Sequence, residues 1–496
     1  MAIFNLRPYQ VETKDEIRRL FSLGKKRVIM CKPTGSGKTV TFADMAREAV
    51  KNGYIVMVVV DRSELLKQAE SKLISYGLSP TLITSGRSGR RKSSTYIATV
   101  QTLVRRQPPE GVGMIIIDEA HKQIFDKVVR AYPEILIIGA TATPIRSGKM
   151  TQLADVYEEL VEKVTIKDLI AQGFLSPAIT YGAKVDTSNV KIKGGDYDND
   201  DLYKAFDKAT LYAGVVDKYR KFADGTKAVV FCVNVKHSKK VVESFKAAGI
   251  SAVHLDGKTP KPERARILEA YKRGQYRVLS NVDVLTAGFD EWTIETIIVN
   301  LATKSLPKWL QMCGRGSRIT PHELQGARGH LQKEHFNIID MGGNVYALGF
   351  WEQEREFNLK HKRKDELSVA PVKECPEDKV DENQKNGCGA IMYAGAPKCK
   401  ICGYIFPKVI KEEKHAEFIQ LENNEFLPAE LVNKKWGAMS IDELEKVREI
   451  KGYKMGWIVK QILYSKDLEL IDYARFKKYK AGAAWVERME KMYIRN

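Results

Sequence analysis

Five apolar runs in the first 141 residues show no alternation with polar residues: "RVIMC" (27–31), "YIVMVVVD" (54–61), "TYIATV" (95–100), "GMIIIDE" (113–119) and "ILIIGAT" (135–141). A strand with one wet face alternates, whereas a strand covered on both faces stays apolar throughout. The intervening stretches are polar, glycine-containing or amphipathic, as crossover helices would be. The pattern predicts a doubly wound, parallel α/β sheet. A second series, "KAVVFCV", "SAVHLD", "YRVLSNV", "TIIVNL" and "FNIIDM", follows a polar insertion, "NVKIKGGDYDNDD" (189–201), and predicts a second α/β lobe.

At 496 residues the chain exceeds what one core serves, and the length suggests about three domains. The expected division is lobe 1 over 1–165, lobe 2 over 166–350, a charged linker over 351–372 ("EREFNLKHKRKDEL"), a cysteine-rich module over 373–408 and a helical region over 409–496. In the last of these, "SIDE" at Ser440–Glu443 fits a capping box. Lysine and arginine total 81 against 62 acidic residues, a formal charge of +19, which favours a polyanionic partner such as nucleic acid. The excess is spread along the chain, so charge alone leaves a merely basic surface equally open. No apolar run approaches the roughly 20 residues of a membrane span, and "MAIFNLRPYQ" lacks a secretory pattern, so a cytoplasmic protein is expected.

Residues 31–40, "CKPTGSGKTV", follow the first strand. Gly35 and Gly37 permit a backbone path that turns amides toward phosphate oxygens, with Pro33, Thr34 and Ser36 completing the loop. Lys38 can reach the β- and γ-phosphates, and Thr39 can ligate magnesium. The general pattern has glycine or alanine where this chain has Lys32. In "IIIDEAH", Asp118 and Glu119 end a buried strand; one carboxylate can hold magnesium while the other polarises a water.

The ordered set "LRPYQ", "PTGSGKT", "VVVDRSELLKQ", "TVQTL", "DEAH", "GATATP", "VLSNVDVLTAGFD" and "QMCGRGSR" resembles the superfamily 2 DEAD/DEAH-box helicases and translocases over roughly residues 4–342. Within them, the wording of "VDVLTAGFD" and "GRGSR" and a cysteine-rich C-terminal module are most similar to the RadD-like bacterial and phage DNA helicases. The resemblance implies two tandem RecA-like lobes, with ATP and Mg2+ bound between them. Helicases of this kind vary the residue at Lys32. It further implies that Arg7 stacks on adenine and Gln10 reads its edge, that Gly288 and Asp290 lie near the ribose and cleft, and that His121, Thr141 and Thr143 couple the acidic pair to the rest of the lobe. Gln311, Arg315 and Arg318 would reach the γ-phosphate from lobe 2, with Arg318 as the arginine finger. Arg62, Thr99, Gln101, Asn234 and Thr286 would face one nucleic-acid strand. The basic "GRSGRRKS" (86–93) reads as a solvated loop with nucleic acid as the alternative.

Cys375, Cys388, Cys399 and Cys402 have the spacing C-x12-C-x10-C-x2-C. A tetrahedral zinc site in a ribbon-like module is expected, with twelve residues where a standard ribbon has two. Redox-active thiols or an iron–sulfur cluster are the alternatives. Such a module grips DNA, binds a protein partner or only folds its own segment. Cys31, Cys232 and Cys313 read as small apolar core residues. The basic, aromatic tail, "GYKMGWIVKQ" and "YARFKKYKAGAAW", suits a nucleic-acid surface but fits a small helical domain as well. The resulting expectation is an ATP-dependent DNA motor acting in repair, recombination or replication in a bacterial or phage-infected cell. An RNA helicase and an ATP-switched nucleic-acid-binding adaptor are the alternatives, and no nuclease constellation is evident.

Overall fold

The structure is a computed structural model that describes residues 6–84, 92–105, 109–146, 151–206, 209–285, 289, 291–320, 333–360, 369–407, 429–432, 434–465 and 467–493. The chain forms two compact units, Met1–Lys408 and Val409–Asn496.

The first unit contains two parallel sheets. Strands β1 (Arg27–Cys31), β2 (Ile55–Val60), β3 (Thr81–Ile83), β4 (Thr95–Thr99), β5 (Val112–Asp118), β6 (Leu136–Thr141) and β7 (Glu159–Glu162) assemble in the order β3-β4-β2-β5-β6-β1-β7. Alternate residues of one strand serve opposite faces. Val28 and Met30 pack with Ile17, Phe42 and Leu73, while Ile29 packs with Met57, Phe125 and Val129. Burial on both faces is therefore the physical reason for the unbroken apolar runs. The edge strands β3 and β7 have no such run: one is three residues long, and the other reads "ELVE".

Lobe 2 is built from β8 (Ala178–Gly182), a short hairpin of β9 (Ile192–Lys193) and β10 (Asp196–Tyr197), and β11 (Ala228–Cys232), β12 (Ala252–Leu255), β13 (Val278–Asn281), β14 (Thr296–Asn300) and β15 (Phe336–Asp340). Its sheet has the order β12-β13-β11-β14-β15-β8. The polar insertion before β11 is ordered where it forms the hairpin. Gly194 (φ 62°) and Gly195 (φ 88°) supply the two positive φ angles of a tight turn. Asp196 then accepts hydrogen bonds from Thr303 Oγ1 at 2.6 Å and the Lys304 amide at 2.7 Å, which fastens the hairpin to the loop after β14.

The expected charged linker begins instead as a strap anchored by buried Trp351, with Glu354, Glu356, Asn358 and Lys360 exposed. Phe350 and Trp351 sit in the lobe 2 core, and the Arg355 guanidinium gathers the carbonyls of Leu348, Phe350, Trp351 and Gln353. The strap then reaches lobe 1, where Leu359 O accepts from the Ala154 amide at 2.9 Å. Charged residues can form such a strap because the arginine satisfies carbonyls that no regular element serves.

A hairpin of β16 (Val372–Glu374) and β17 (Ile391–Tyr393) opens the cysteine module. It lies against the β8 edge of lobe 2: Ala390 bridges Tyr181, Ile391 joins the lobe 2 core and Tyr393 packs edge-on to Phe350 at 4.8 Å. The module thus covers a sheet edge that would otherwise present unpaired backbone.

The second unit packs helices Ile441–Ile450, Met455–Tyr464, Leu470–Phe476 and Gly482–Tyr493 around Leu444, Val447, Ile458, Val459, Ile462 and Tyr473. Ser440 caps the first of these, with reciprocal bonds Glu443 N to Ser440 Oγ (3.3 Å) and Ser440 N to Glu443 Oε2 (2.8 Å). Among the described residues no helix is long and apolar enough to cross a membrane.

Candidate nucleotide site and nucleic-acid track

The loop after β1 folds back on itself, with the Ser36 amide donating to Pro33 O at 3.1 Å, and delivers Lys38 to the first turn of helix Lys38–Lys51. Gly35 (φ 88°) and Gly37 (φ 78°) are obligatory here. A Cβ on Gly35 would fall 2.8 Å from Leu175, and one on Gly37 would fall 2.6 Å from the Gln10 amide. Lys32 does not disturb this path. Its side chain is buried, its Nζ donates to Thr41 Oγ1 at 2.9 Å, and it lies 4.9 Å from the Tyr9 ring centroid. Burial, with Arg7 adding repulsion, lowers its pKa to about 7.

The first helix clamps the loop from behind. Tyr9 OH (2.8 Å) and Gln10 Nε2 (3.2 Å) both donate to Ser36 O, while Gln10 Oε1 accepts from the Arg7 amide. Gln10 therefore spends both ends of its amide on the protein. The Arg7 guanidinium lies 3.9 Å over the Phe174 ring. The resulting cradle fits a phosphate chain: glycine-lined, held open by the Gln10 contact, with the Ser36 hydroxyl buried and without a hydrogen-bond partner.

Lys38 Nζ stands 2.8 Å from Glu119 Oε1 and 3.2 Å from Asp118 Oδ1. Glu119 adopts φ 52°, a conformation a non-glycine residue holds only when its surroundings impose it. The two carboxyls part company electrostatically. Burial raises Asp118 against the pull of Lys38, whereas at Glu119 Lys38 and His121 outweigh burial and lower it to about 2. His121, lowered to about 4 by burial, is neutral near pH 7. Its Nδ1 is 2.9 Å from Thr141 Oγ1, which in turn receives the Thr143 amide at 3.2 Å. Thr39 is half-buried one residue beyond Lys38.

Lobe 2 closes on the same point. Gln311 Nε2 donates to Glu119 Oε2 at 3.3 Å, and Gly314 approaches Thr34 so closely that a Cβ would sit 2.9 Å from it. Arg315 and Arg318 both donate through Nη1 to Phe289 O, at 2.7 and 3.0 Å. Behind the loop, Trp351, Gln353 and Phe357 of the strap line a cavity together with Pro33 and Thr34. Gly288, Asp290 and Thr286 lie outside the described residues, as do residues 86–91 of the basic stretch.

The track candidates stand at the C-terminal ends of strands, those after β2 and β4 on neighbouring strands of lobe 1 and Asn234 after β11 in the separate lobe 2 sheet. Arg62 precedes the helix after β2, Thr99 ends β4 and precedes the helix carrying Gln101, and Asn234 caps the helix after β11, with Oδ1 accepting from the His237 amide at 2.8 Å. The β2 and β4 loops are joined by Gln101 Nε2 donating to Asp61 O at 2.9 Å. In the lobe 1 sheet, β1, β6 and β5 bring up the candidate nucleotide residues while the adjacent β2 and β4 bring up the lobe 1 track candidates.

Two connecting pairs escaped sequence reasoning. Asp61 is ion-paired with Lys122, tying the β2 loop to the loop that bears the acidic pair. Arg146 is ion-paired with Asp126 and donates from Nε to His121 O at 3.0 Å. Asp61 lies within "VVVDRSELLKQ" and the other three lie one to five residues beyond a recognised motif, and only the fold brings the partners together.

The four cysteine sulfurs lie within 4.8 Å of one another, with Cys375 Sγ 3.7 Å from Cys402 Sγ and Cys388 Sγ 3.8 Å from Cys399 Sγ. Four thiolates bound tetrahedrally at about 2.3 Å stand about 3.8 Å apart, so the donor set fits zinc. The twelve-residue insertion is folded. Asp381 accepts from the amides of Asn383 (2.8 Å), Lys385 (2.9 Å) and Ile405 (2.7 Å), clasping it to the end of the module. Cys31, Cys232 and Cys313 are buried, and burial raises each thiol.

The family described as "Type III restriction enzyme, res subunit" matches residues 3–146, and the "Helicase conserved C-terminal domain" matches residues 210–320. A "51.5 kDa protein" of a Lactococcus phage is 30% identical over 421 residues, covering 82% of this chain and 85% of that one. The Saccharomyces cerevisiae protein named "Putative ATP-dependent helicase IRC3" is 29% identical over 367 residues, covering 68% of this chain and only 51% of its own length. In fold, the chain is similar to the ATP-dependent Type ISP restriction-modification enzyme LlaBIII bound to DNA, with a TM-score of 0.51 and 17% identity over 68% of this chain and 27% of that one. The chain belongs to the superfamily 2 helicases, ATP-hydrolysing enzymes of tandem RecA-like lobes that act on nucleic acid. That membership implies ATP and Mg2+ as its nucleotide and metal.

Proposed function

We propose that this protein is an ATP-dependent DNA translocase or helicase that moves on or unwinds DNA during repair, recombination or replication. The observation that carries the reading is the line Lys38–Glu119–Gln311, in which the phosphate loop, the acidic pair and a lobe 2 side chain meet within hydrogen-bonding distance. Lys38 exchanges its carboxylate partners for phosphate oxygens. That exchange releases Glu119 to orient the attacking water, while Asp118 and Thr39 serve as the magnesium ligands. Magnesium, when bound, neutralises charge on the phosphate oxygens. Arg315 and Arg318 stabilise the charge that develops on the transferred group, Arg318 as the finger. Arg7 and Gln10 select adenine, with Gln10 giving up its Ser36 contact.

Hydrolysis is read out through the track. Arg62, Thr99, Gln101 and Asn234 hold backbone phosphates, and Asp61–Lys122 transmits movement of the acidic loop to the strand-facing loop. The four cysteines hold a structural zinc. DNA is preferred over RNA because the restriction-enzyme family matches the first lobe and the LlaBIII neighbour was solved on DNA. The test is steady-state ATP hydrolysis with no polymer, single-stranded, duplex or forked DNA, or RNA, with Lys38→Ala as control. Stimulation by DNA is expected. Stimulation by RNA alone transfers the reading to an RNA helicase, and Lys38-dependent hydrolysis indifferent to every polymer removes the motor.

A further inference from the structure

The second compact unit carries a surface that the motor leaves unused. Helix Met455–Tyr464 buries Ile458, Val459 and Ile462 in the unit's core. Trp457, just ahead of that stripe, is half-buried and anchors two rings that stay outside it: Trp436, at a centroid distance of 4.9 Å and 71°, and Tyr453, at 4.8 Å and 42°. Those two side chains remain 41% and 36% exposed. Singly exposed aromatics need no explanation, but two exposed rings converging on a third form a platform.

The surrounding charge is one-sided. From Lys451 to Lys466 the sequence holds four lysines and no acidic residue. Lys435 and Lys454, the chain neighbours of Trp436 and Tyr453, are exposed. Three acids near the platform in sequence are already engaged, Glu449 with Arg448 at 3.5 Å, Glu443 with Lys434 at 2.6 Å and Asp442 with Lys446 at 2.9 Å. Flat π-faces beside exposed cations complement a polymer of bases and phosphates. Only a single strand offers both, because a duplex hides its base faces within the stack.

We propose that Trp436 and Tyr453, braced by Trp457, form a stacking platform for bases of single-stranded nucleic acid, with Lys435 and Lys454 taking its phosphates. The proposal rests on the motor reading for its polymer and adds a contact outside the two lobes.

The test titrates the full chain and its Trp436→Ala/Tyr453→Ala variant into fluorescein-labelled oligo-dT and into a duplex of the same length, with circular dichroism to verify folding. Stacking contributes about 1–3 kcal/mol per base, so the oligo-dT Kd should rise at least about tenfold while the duplex Kd stays within about twofold. Trp436→Phe/Tyr453→Phe should recover most of the affinity. Lys435→Gln/Lys454→Gln should flatten the salt dependence of oligo-dT binding by about 1.4 in log–log slope, about 0.7 per phosphate. Equal oligo-dT affinity in the folded alanine variant overturns the platform. If the parent's ATP hydrolysis still responds to nucleic acid, the motor reading survives that result; a parent blind to every polymer sinks both. An equal loss on duplex and single strand overturns the stacking assignment.

Discussion

The phosphate-loop site and the cysteine site are both built for a charged guest, yet they prepare for it in opposite ways. At the phosphate loop the protein supplies its own counter-charge, with Lys38 held between Asp118 and Glu119. In the cysteine module no cationic side chain stands among the donors, four sulfurs within 4.8 Å of one another, and burial holds the Cys388 thiol up at about 11. A self-balanced site folds before its guest arrives, and the guest changes what it does. A site of four converging sulfurs needs its guest in order to fold. Removing nucleotide should therefore cost activity, and removing metal should cost structure.

The sharpest way to break this contrast is Lys38→Ala. Loss of the one cation that bridges the loop and the acids should lower kcat for ATP hydrolysis by about 10³-fold or more. It also leaves two buried carboxyls without their partner, at a cost of order 3 kcal/mol. Adding Glu119→Gln should recover part of the thermal stability and none of the activity. If the double variant is no more stable than the single one, the site is not balanced by its own charges.

Next in size is the metal. One zinc per chain is expected by plasma emission, and Cys399→Ser or chelation should remove it. Because Ile391 lies in the lobe 2 core and Ala390 bridges Tyr181 on the edge strand, the loss should spread into lobe 2 and lower its unfolding temperature by about 10 °C. An unchanged transition after verified metal loss would erase the difference between the two sites.

The third test separates fuel from track. Asp61→Asn or Lys122→Ala cuts the ion pair between the β2 loop and the acidic loop. The ratio of DNA-stimulated to basal hydrolysis should fall about tenfold, as for a coupling of 1–2 kcal/mol. A ratio equal to the parent's removes this pair from the coupling path.

What the sequence disclosed follows the same division. Strands buried on both faces, such as β1, β2, β5 and β11, announce themselves by composition, whereas β3, β7 and β8 are defined by edge pairing that no local pattern encodes. Lys38, Asp118 and Glu119 are legible because phosphate chemistry fixes their spacing along the chain. Asp61–Lys122 and Arg146–Asp126 are not, because each joins residues 61 and 20 positions apart through the order of strands in the sheet. The strap over 351–360 misled for a related reason. Its charges suggest solvent, yet Arg355 spends its donors on four backbone carbonyls and carries Trp351 into the core.

A buried charge with no guest at all calibrates the comparison. Glu445 in the second unit accepts from Tyr473 OH at 2.8 Å and from Arg448 and Lys477, and these partners, Arg448 foremost, lower its carboxyl to about 2. Its folded pKa lies below the unfolded value of about 4.3, so it stabilises the fold at neutral pH, and that contribution is lost as pH falls from about 4.5 toward 2. After allowance for solvent screening it contributes about 1–2 kcal/mol. Glu445→Gln should lower the unfolding temperature of the helical unit at pH 7 by several degrees, with the gap to the parent narrowing by about half at pH 3. A gap independent of pH would mean that the cluster is held by packing and neutral hydrogen bonds. Charge balance would then be too weak a force in this protein to account for the arrangement of Lys38 between Asp118 and Glu119.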